Sequence, residues 1–124
     1  MFTVQKSLMI CGGHQLKLNY DSPCSRWHGH NWNVTVYMRA NKLDANGMVY
    51  DFAKIKHQVH DKFDHMNLND IVDFNPTAEN LALYICSLLN ADRTVGDIGR
   101  GLRCYRVDIE ETPNNIASYK EDEL

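Results

Sequence analysis

The chain has 124 residues, of which 44% are hydrophobic and 23% are charged, and its formal net charge at pH 7 is -3. This length suits one globular domain, residues 1–124, and requires no second domain. The small negative charge gives no electrostatic reason to expect nucleic acid or an anionic membrane as a partner. We therefore expect a single domain that binds neither nucleic acids nor membranes.

The start of the chain and its cysteines predict a cytoplasmic location. Residues 1–13 contain Lys6 within a short apolar alternation and lack the basic segment and uninterrupted hydrophobic stretch of a secretory signal. No run of about 18 apolar residues predicts a transmembrane helix. The four cysteines are widely spaced without a CxxC pair, which favours free thiols over a disulfide framework in a reducing compartment. They are Cys11, Cys24, Cys86 and Cys104.

Alternating hydrophobicity predicts the first two strands. In Phe2–Ile10 all but one of the even positions are apolar, and the Gly12-Gly13 pair that follows predicts a bend or bulge. In His28–Met38 the even positions share one face, so His28 and His30 lie at the start of an apolar face.

Two helices are predicted next. Asp51 is suited to cap the first helix, because apolar residues recur at spacings of three and four over residues 52–63. The second helix opens at Asn75-Pro76-Thr77, with Pro76 near its first turn, and ends near Asn90.

Two more strands complete the α+β pattern. Over residues 102–111 a predicted strand places Tyr105, Val107, Ile109 and Glu111 on one face, and residues 116–119 predict a short fourth strand. A carboxylate at the end of an apolar stripe is unusual. Glu111 is therefore predicted either to face a ligand or to form a structural salt bridge.

The run from Cys24 to His30 has the spacing of a metal site. Residues i and i+2 of a strand face the same way, about 6.6 Å apart, so His28 and His30 can converge on one cation. A catalytic zinc takes three protein ligands and keeps one position open, and His14 is the leading candidate for the third ligand. The alternative is that both histidines merely fill the sheet face beside Trp32.

Two further groups are candidates for proton chemistry. Cys24 lies in a polar loop, where Arg26 and a nearby divalent cation would both favour its thiolate. Asp64 and His65 are adjacent, and such a carboxylate can fix the tautomer of the imidazole.

Two other histidines are not predicted to be ligands. His57 and His60 lie three residues apart in the first predicted helix. This spacing is typical of a solvated or half-buried helix face. We therefore predict no metal-binding role for either residue.

Taken together, these motifs resemble those of the 6-pyruvoyl-tetrahydropterin synthase superfamily. The matching set covers nearly the whole chain: Cys24-x-x-x-His28-Gly29-His30-Asn31, Asp51-Phe52, Asp64-His65-x-x-Leu68-Asn69, Asn75-Pro76-Thr77-Ala78-Glu79-Asn80 and Glu111-Thr112. Three residues separate the cysteine from His-Gly-His, which resembles the 6-carboxytetrahydropterin synthases of queuosine biosynthesis. The pyruvoyl-forming enzymes typically have a longer gap.

The resemblance implies a tunnelling fold and an oligomer. In this fold a four-stranded antiparallel sheet carries two helices between its second and third strands. Three sheets join edge to edge into a barrel, and two trimers stack into a hexamer. Oligomerisation of this kind covers sheet edges that would otherwise stay unpaired.

The resemblance also implies a role for each candidate residue. It assigns zinc to His14, His28 and His30, proton transfer to Cys24, Asp64 and His65, and substrate binding to Thr77 and Glu111, with Glu111 anchoring the pterin ring and contributing to catalysis. The implied substrate is 7,8-dihydroneopterin triphosphate. The implied products are 6-carboxy-5,6,7,8-tetrahydropterin, acetaldehyde and triphosphate.

The chain departs from the family pattern at three places. The family usually has Phe-x-Ala-Ala-His before the first ligand, where this chain has Ile10-Cys11-Gly12-Gly13-His14. In addition, Trp32 replaces Tyr or Phe, and Phe63 replaces Leu.

Two alternative functions stay open. One is synthesis of 6-pyruvoyl-tetrahydropterin, which removes triphosphate and keeps the carbon side chain. The other is a non-catalytic module that binds a pterin or zinc.

Overall fold

The computed structural model describes residues 1–122, and the last two residues of the predicted domain lie outside the described part. The strands are β1 Phe2–His14, β2 His28–Ala40, β3 Met66–Asn67, β4 Arg103–Thr112 and β5 Asn115–Lys120. The helices are α1 Phe52–Phe63, α2 Leu68–Ile71, α3 Ala78–Ala91 and α4 Val95–Gly99, and Pro23–Ser25 forms a 3-10 turn. The strands make one sheet in the order β3-β1-β2-β4-β5.

The long pair β1 and β2 runs antiparallel in continuous register, from Phe2 opposite Ala40 to His14 opposite His28. The predicted bend at Gly12-Gly13 is therefore wrong. The diglycine instead permits close approach of β3, which pairs parallel to β1 at these two residues. A Cβ atom at Gly12 would lie 3.3 Å from the Met66 carbonyl oxygen.

The predicted α+β class is confirmed, but the number of elements is wrong. All four predicted strands and both predicted helices are present, and residues 1–122 contain in addition β3, α2 and α4. These three elements have two, four and five residues. Segments this short show no full hydrophobic period, so periodicity could not predict them. None of the helices within the described residues is long and apolar enough to cross a membrane.

The core lies between one face of the sheet and the two long helices. The even positions of β2 from Trp32 to Ala40 are buried, as their alternation predicts. The helices contribute Ile55, Val59 and Phe63 from α1 and Leu81, Ile85 and Leu89 from α3. Truncation of a fully buried side chain such as Phe63 costs about 3–5 kcal/mol. This packing fixes the sheet against α1 and α3 and so positions the site at its end.

Strand β4 contains a bulge, so its side chains do not all lie on the faces of the sheet that alternation predicts. Its register against β2 shifts at Tyr37 and Met38. The shift buries Cys104 together with Val107 and leaves Tyr105 half-buried, so Tyr105 does not share the buried face as predicted. A bulge inserts one residue and turns the following side chains to the other face.

Candidate metal centre and active site

Three histidines and one glutamate meet at one end of the sheet. His14 ends β1 opposite His28, and His30 follows on the same face of β2. Glu111 reaches the group from the end of β4, beside a second register shift. One ligand atom from each of the four side chains lies within 4.8 Å of the others. The structure therefore brings together the three predicted ligands and the predicted pterin anchor.

Backbone carbonyls orient two of the rings. The Nδ1 atom of His14 lies 2.8 Å from the Pro76 carbonyl oxygen, and the Nδ1 atom of His28 lies 2.7 Å from the Arg26 carbonyl oxygen. A carbonyl only accepts hydrogen bonds, so both rings donate from Nδ1. In a neutral ring with this tautomer Nε2 is unprotonated and can bind a metal ion, an arrangement common in metal sites.

Unpaired nitrogens at the centre of the group indicate that a cation fits there. The Nε2 atoms of His14 and His30 are buried without a hydrogen-bond partner. Glu111 Oε1 lies 3.3 Å from the first and 3.4 Å from the second. Donors around a tetrahedral ion with bonds of about 2.0–2.1 Å are about 3.3–3.4 Å apart. The residues present can therefore hold a divalent metal ion.

The protonation state of the rings suits this role. Burial lowers the pKa of His14, and the Pro76 hydrogen bond opposes that shift only in part. Burial likewise lowers the pKa of His30, against the opposing effect of Glu111. Lowered values keep both rings neutral at pH 7, and neutral imidazole is the form that binds metal ions.

Trp32 lies beside the histidines and supports them. Its buried ring packs edge to face against His14 and His30, with ring centroids 4.7 Å and 5.1 Å away. Its indole N–H donates to the Gly12 carbonyl oxygen at 3.1 Å. Besides packing against Trp32, His14 and His30 both direct their Nε2 atoms toward Glu111.

Asp64 and His65 form the predicted carboxylate–imidazole contact just after α1. Asp64 Oδ1 accepts the Cys11 amide N–H at 2.9 Å, and Asp64 Oδ2 lies 2.7 Å from His65 Nδ1. The Cys11 hydrogen bond, followed by those with His65 and the charge of His60, holds the pKa of the Asp64 carboxyl below its ordinary value. His65 has a φ of 57°, and its amide donates to the Cys11 carbonyl. The pair is thus fixed to β1 by the backbone.

A shallow cleft connects the two groups. It has a volume of about 440 Å³, and both His30 and His65 line it. Cys24 is not among its lining residues. The Cys24 thiol is exposed in the 3-10 turn, where the Cys24 carbonyl accepts the Leu16 amide. A single chain therefore brings His65 to the histidine end of the sheet and leaves the predicted thiol outside this cleft.

Thr77 and Pro76 lie at the start of the second long helix, as predicted. The second long helix begins at Ala78, one residue after Thr77, whose side chain caps it by accepting the Asn80 amide at 3.1 Å. Pro76 precedes this cap and so lies near the first turn, and its carbonyl accepts the hydrogen bond of His14 Nδ1. In the described structure the Thr77 hydroxyl serves the helix cap, and its predicted role in substrate binding stays a prediction.

Two asparagines that sequence reasoning missed hold the segment after β1. The Asn69 side chain pairs with the backbone of Gln15, accepting its N–H at 2.8 Å and donating to its carbonyl at 3.0 Å. Asn75 pairs with Lys17 in the same way, with both distances 2.9 Å. Each asparagine side chain thus bonds to both the N–H and the carbonyl of one residue, as the backbone of a neighbouring strand would. Only their occurrence within the family-like motifs could have drawn attention to them.

The fold and the site define an α+β protein with three histidines and one carboxylate that could hold a metal ion. More particularly, the chain belongs to the 6-pyruvoyl tetrahydropterin synthase family, whose sequence model matches residues 3–122. The predicted resemblance is thus confirmed.

Named relatives support this membership. The chain is 29% identical over 126 residues to the 6-carboxy-5,6,7,8-tetrahydropterin synthase of Bacillus subtilis, an alignment that covers 96% of this chain and 85% of that protein. It is 39% identical over 103 residues to a putative 6-pyruvoyl tetrahydrobiopterin synthase of Caenorhabditis elegans, covering 77% and 70%. The solved structure of the Caenorhabditis elegans 6-pyruvoyl tetrahydropterin synthase matches with a TM-score of 0.74 at 32% identity, covering 98% of this chain and 96% of that one.

Proposed function

We propose that this protein is a zinc-dependent 6-carboxy-5,6,7,8-tetrahydropterin synthase. It would convert 7,8-dihydroneopterin triphosphate and water to 6-carboxy-5,6,7,8-tetrahydropterin, acetaldehyde and triphosphate. The observation that carries the proposal is the convergence of three imidazoles and one carboxylate around buried, unpaired nitrogens. Similarity to the Bacillus subtilis protein over 96% of this chain supports the choice of reaction.

In this proposal His14, His28 and His30 hold zinc. Bound zinc supplies a Lewis acid that polarises the side-chain oxygens of the substrate and stabilises the negative charge that develops on them. The carbonyls of Pro76 and Arg26 orient two of the rings before the metal binds. Such preorganisation lowers the cost of assembling the site.

Glu111 is proposed to anchor the pterin ring. Besides its contact with the histidines, it lines a second cleft together with Ala78, Glu79, Asn114, Asn115, Ile116 and Ala117. An ionised carboxylate only accepts hydrogen bonds, so it suits the amino and ring N–H groups of a pterin. Because Glu111 borders both the metal centre and this cleft, it would hold the ring beside the reacting side chain.

Cys24, Asp64 and His65 are proposed to move protons. The Cys24 thiolate would remove the proton from the substrate carbon, and His65, oriented by Asp64, would return protons during tautomerisation and carbon–carbon cleavage. Cys24 lies outside the cleft that His65 lines. We therefore propose that the complete site forms between subunits of a homo-oligomer, as a hexamer of two stacked trimers.

The proposed reaction belongs to queuosine biosynthesis and to the cytoplasm. The decisive experiment incubates the zinc-loaded protein with 7,8-dihydroneopterin triphosphate, measures acetaldehyde with a coupled dehydrogenase and identifies the pterin by mass. Stoichiometric acetaldehyde and a carboxypterin are expected. Formation of neither product would overturn the proposal.

A second candidate is 6-pyruvoyl-tetrahydropterin synthesis. It is favoured by 39% identity to the putative Caenorhabditis elegans enzyme and 36% identity over 101 residues to the human 6-pyruvoyl tetrahydrobiopterin synthase. This reaction releases triphosphate but keeps the three-carbon side chain. The same incubation separates the two, because only the first yields acetaldehyde.

A further inference from the structure

His60 makes a contact that its place in the sequence did not predict. It lies in the last turn of α1, four residues before Asp64. Its Nε2 atom is 3.3 Å from Asp64 Oδ2, the same oxygen that His65 Nδ1 approaches to 2.7 Å. Residues four apart on a helix lie on one face, which explains why the His60 ring reaches the end of α1. One carboxylate oxygen therefore serves two imidazoles.

The other side of the His60 ring faces a second carboxylate. His60 Nδ1 is buried without a hydrogen-bond partner, and Asp61 Oδ1 lies 3.5 Å away. Asp61 Oδ2 in turn lies 2.6 Å from Nδ1 of His57. The side chain of His60 is 29% exposed, whereas that of His57 is 71% exposed. His57 thus lies on the solvated part of the predicted helix face, and His60 lies on its half-buried part.

The remaining bonds of Asp64 explain why this second ring matters. Asp64 Oδ1 accepts the Cys11 amide of β1, whereas both imidazoles approach Oδ2. The titratable groups that face this carboxylate within residues 1–122 are His60 and His65. The nearby Lys62 amine donates to Tyr84 instead. Removing His60 would leave Oδ2 with one partner where it now has two.

We propose that His60 is a positioning residue, which shares Asp64 Oδ2 with His65 and so makes the proton-transfer pair a His–Asp–His triad. His60 does not touch the substrate. It holds the carboxylate in the orientation that the Cys11 amide and the His65 ring require. The inference rests on the proposed function only in so far as His65 transfers protons, since the contact itself is independent of any reaction.

The contact between His60 and Asp64 is tested first by a measurement that does not depend on enzymatic activity. The carboxyl of Asp64 is titrated by carbon-13 NMR in the zinc-loaded wild type and in His60→Leu, His60→Gln and His57→Gln. In His60→Leu the midpoint rises by about half a pH unit, because a favourable partner of the carboxylate is lost. His60→Gln keeps an N–H donor and gives a smaller rise. His57→Gln is the matched control, because the His57 ring contacts Asp61 and not Asp64. In this variant the midpoint of the Asp64 carboxyl stays at the wild-type value.

Kinetics test the positioning role. In His60→Leu we expect kcat to fall about tenfold with KM unchanged, and the acid limb of the kcat profile to move to higher pH. Partial rescue in His60→Gln is expected, with wild-type behaviour in His57→Gln. An Asp64 midpoint in His60→Leu equal to that of the wild type would overturn the inference. A wild-type protein that forms no acetaldehyde would overturn the proposed function and leave the NMR result standing.

Discussion

The metal centre and the Cys24 turn are positioned by different means. His14, His28 and His30 sit on two strands whose thirteen paired residues fix where each ring points. Cys24 sits in a three-residue 3-10 turn that is bonded to the segment after β1 by the Leu16 amide and the Gln15 side chain. A backbone ladder defines a side chain more tightly than an isolated turn does. The chain thus preorganises the metal centre and leaves the thiol to be placed by fewer contacts.

The largest effect is expected at the metal centre itself. His28→Ala removes a proposed ligand whose ring is already oriented by the Arg26 carbonyl. Because the other donors cannot close the gap, zinc affinity falls at least 100-fold, and acetaldehyde formation is lost with it. Zinc content after dialysis and the coupled assay measure both losses. His57→Ala, on the exposed face of α1, is the control and keeps full zinc. Retention of one zinc per chain in His28→Ala would contradict the assignment.

The next largest effect is expected at Cys24, where the role of the thiol can be distinguished from that of the metal. Cys24→Ala removes the proposed base without touching the histidine group, so product formation falls by about 10²–10⁴-fold while the zinc content stays unchanged. Cys11→Ala is the comparison variant, since it removes a thiol that contacts the Asn31 side chain and keeps the Cys11 backbone bonds to Asp64 and His65. If Cys24→Ala formed acetaldehyde at the wild-type rate, the thiol would have no part in the chemistry.

A smaller effect is expected where side chains hold the segment between the two regions. Asn75→Ala removes both hydrogen bonds to the backbone of Lys17, so the free energy of unfolding falls by about 1–3 kcal/mol. Urea unfolding followed by circular dichroism measures the change. Asn46→Ala, in the exposed turn before α1, is the control and changes stability by less than about 0.5 kcal/mol. Equal stability of the two variants would show that the Asn75 pairing contributes nothing.

How far the sequence predicts these regions depends on the range of the interactions. His28 and His30 were found from a two-residue period, which is local. The contact of Glu111 with His14, in contrast, depends on strand pairing and a register shift, which no local pattern encodes. The same applies to Asn69 and Asn75, whose partners are more than fifty residues away.

For the two histidines of α1, the local pattern predicts the element but not the contacts of each ring. The spacing of His57 and His60 correctly places both on α1, but it cannot distinguish the exposed ring from the one that contacts Asp64. That distinction depends on where α1 ends against β1, through the bond of Asp64 to Cys11. Periodicity identifies a helix face. Tertiary packing determines which residue on that face contacts the site.

The metal-free protein gives a pH test of the buried region. Burial lowers the pKa of His14 in the folded state, whereas the unfolded chain has the ordinary value of 6.5. As the pH falls through this value the unfolded state takes up protons first, so stability is fully present above about pH 6.5 and is lost below it. Urea unfolding of the metal-free protein at pH 7.5 and pH 5.5 checks the sign. Equal or greater stability at pH 5.5 would contradict the burial argument.

The smallest effect concerns the support beneath the metal centre. Trp32→Phe keeps an aromatic ring against His14 and His30 but removes the N–H that donates to the Gly12 carbonyl. That hydrogen bond fixes the diglycine backbone that leads to His14, and its loss costs about 1 kcal/mol. Zinc affinity measured by competition with a chelator therefore falls about fivefold. Trp27→Phe is the control, because Trp27 is half exposed and makes no such bond to β1 in the described residues. An unchanged affinity in Trp32→Phe would show that strand register alone holds His14 in place.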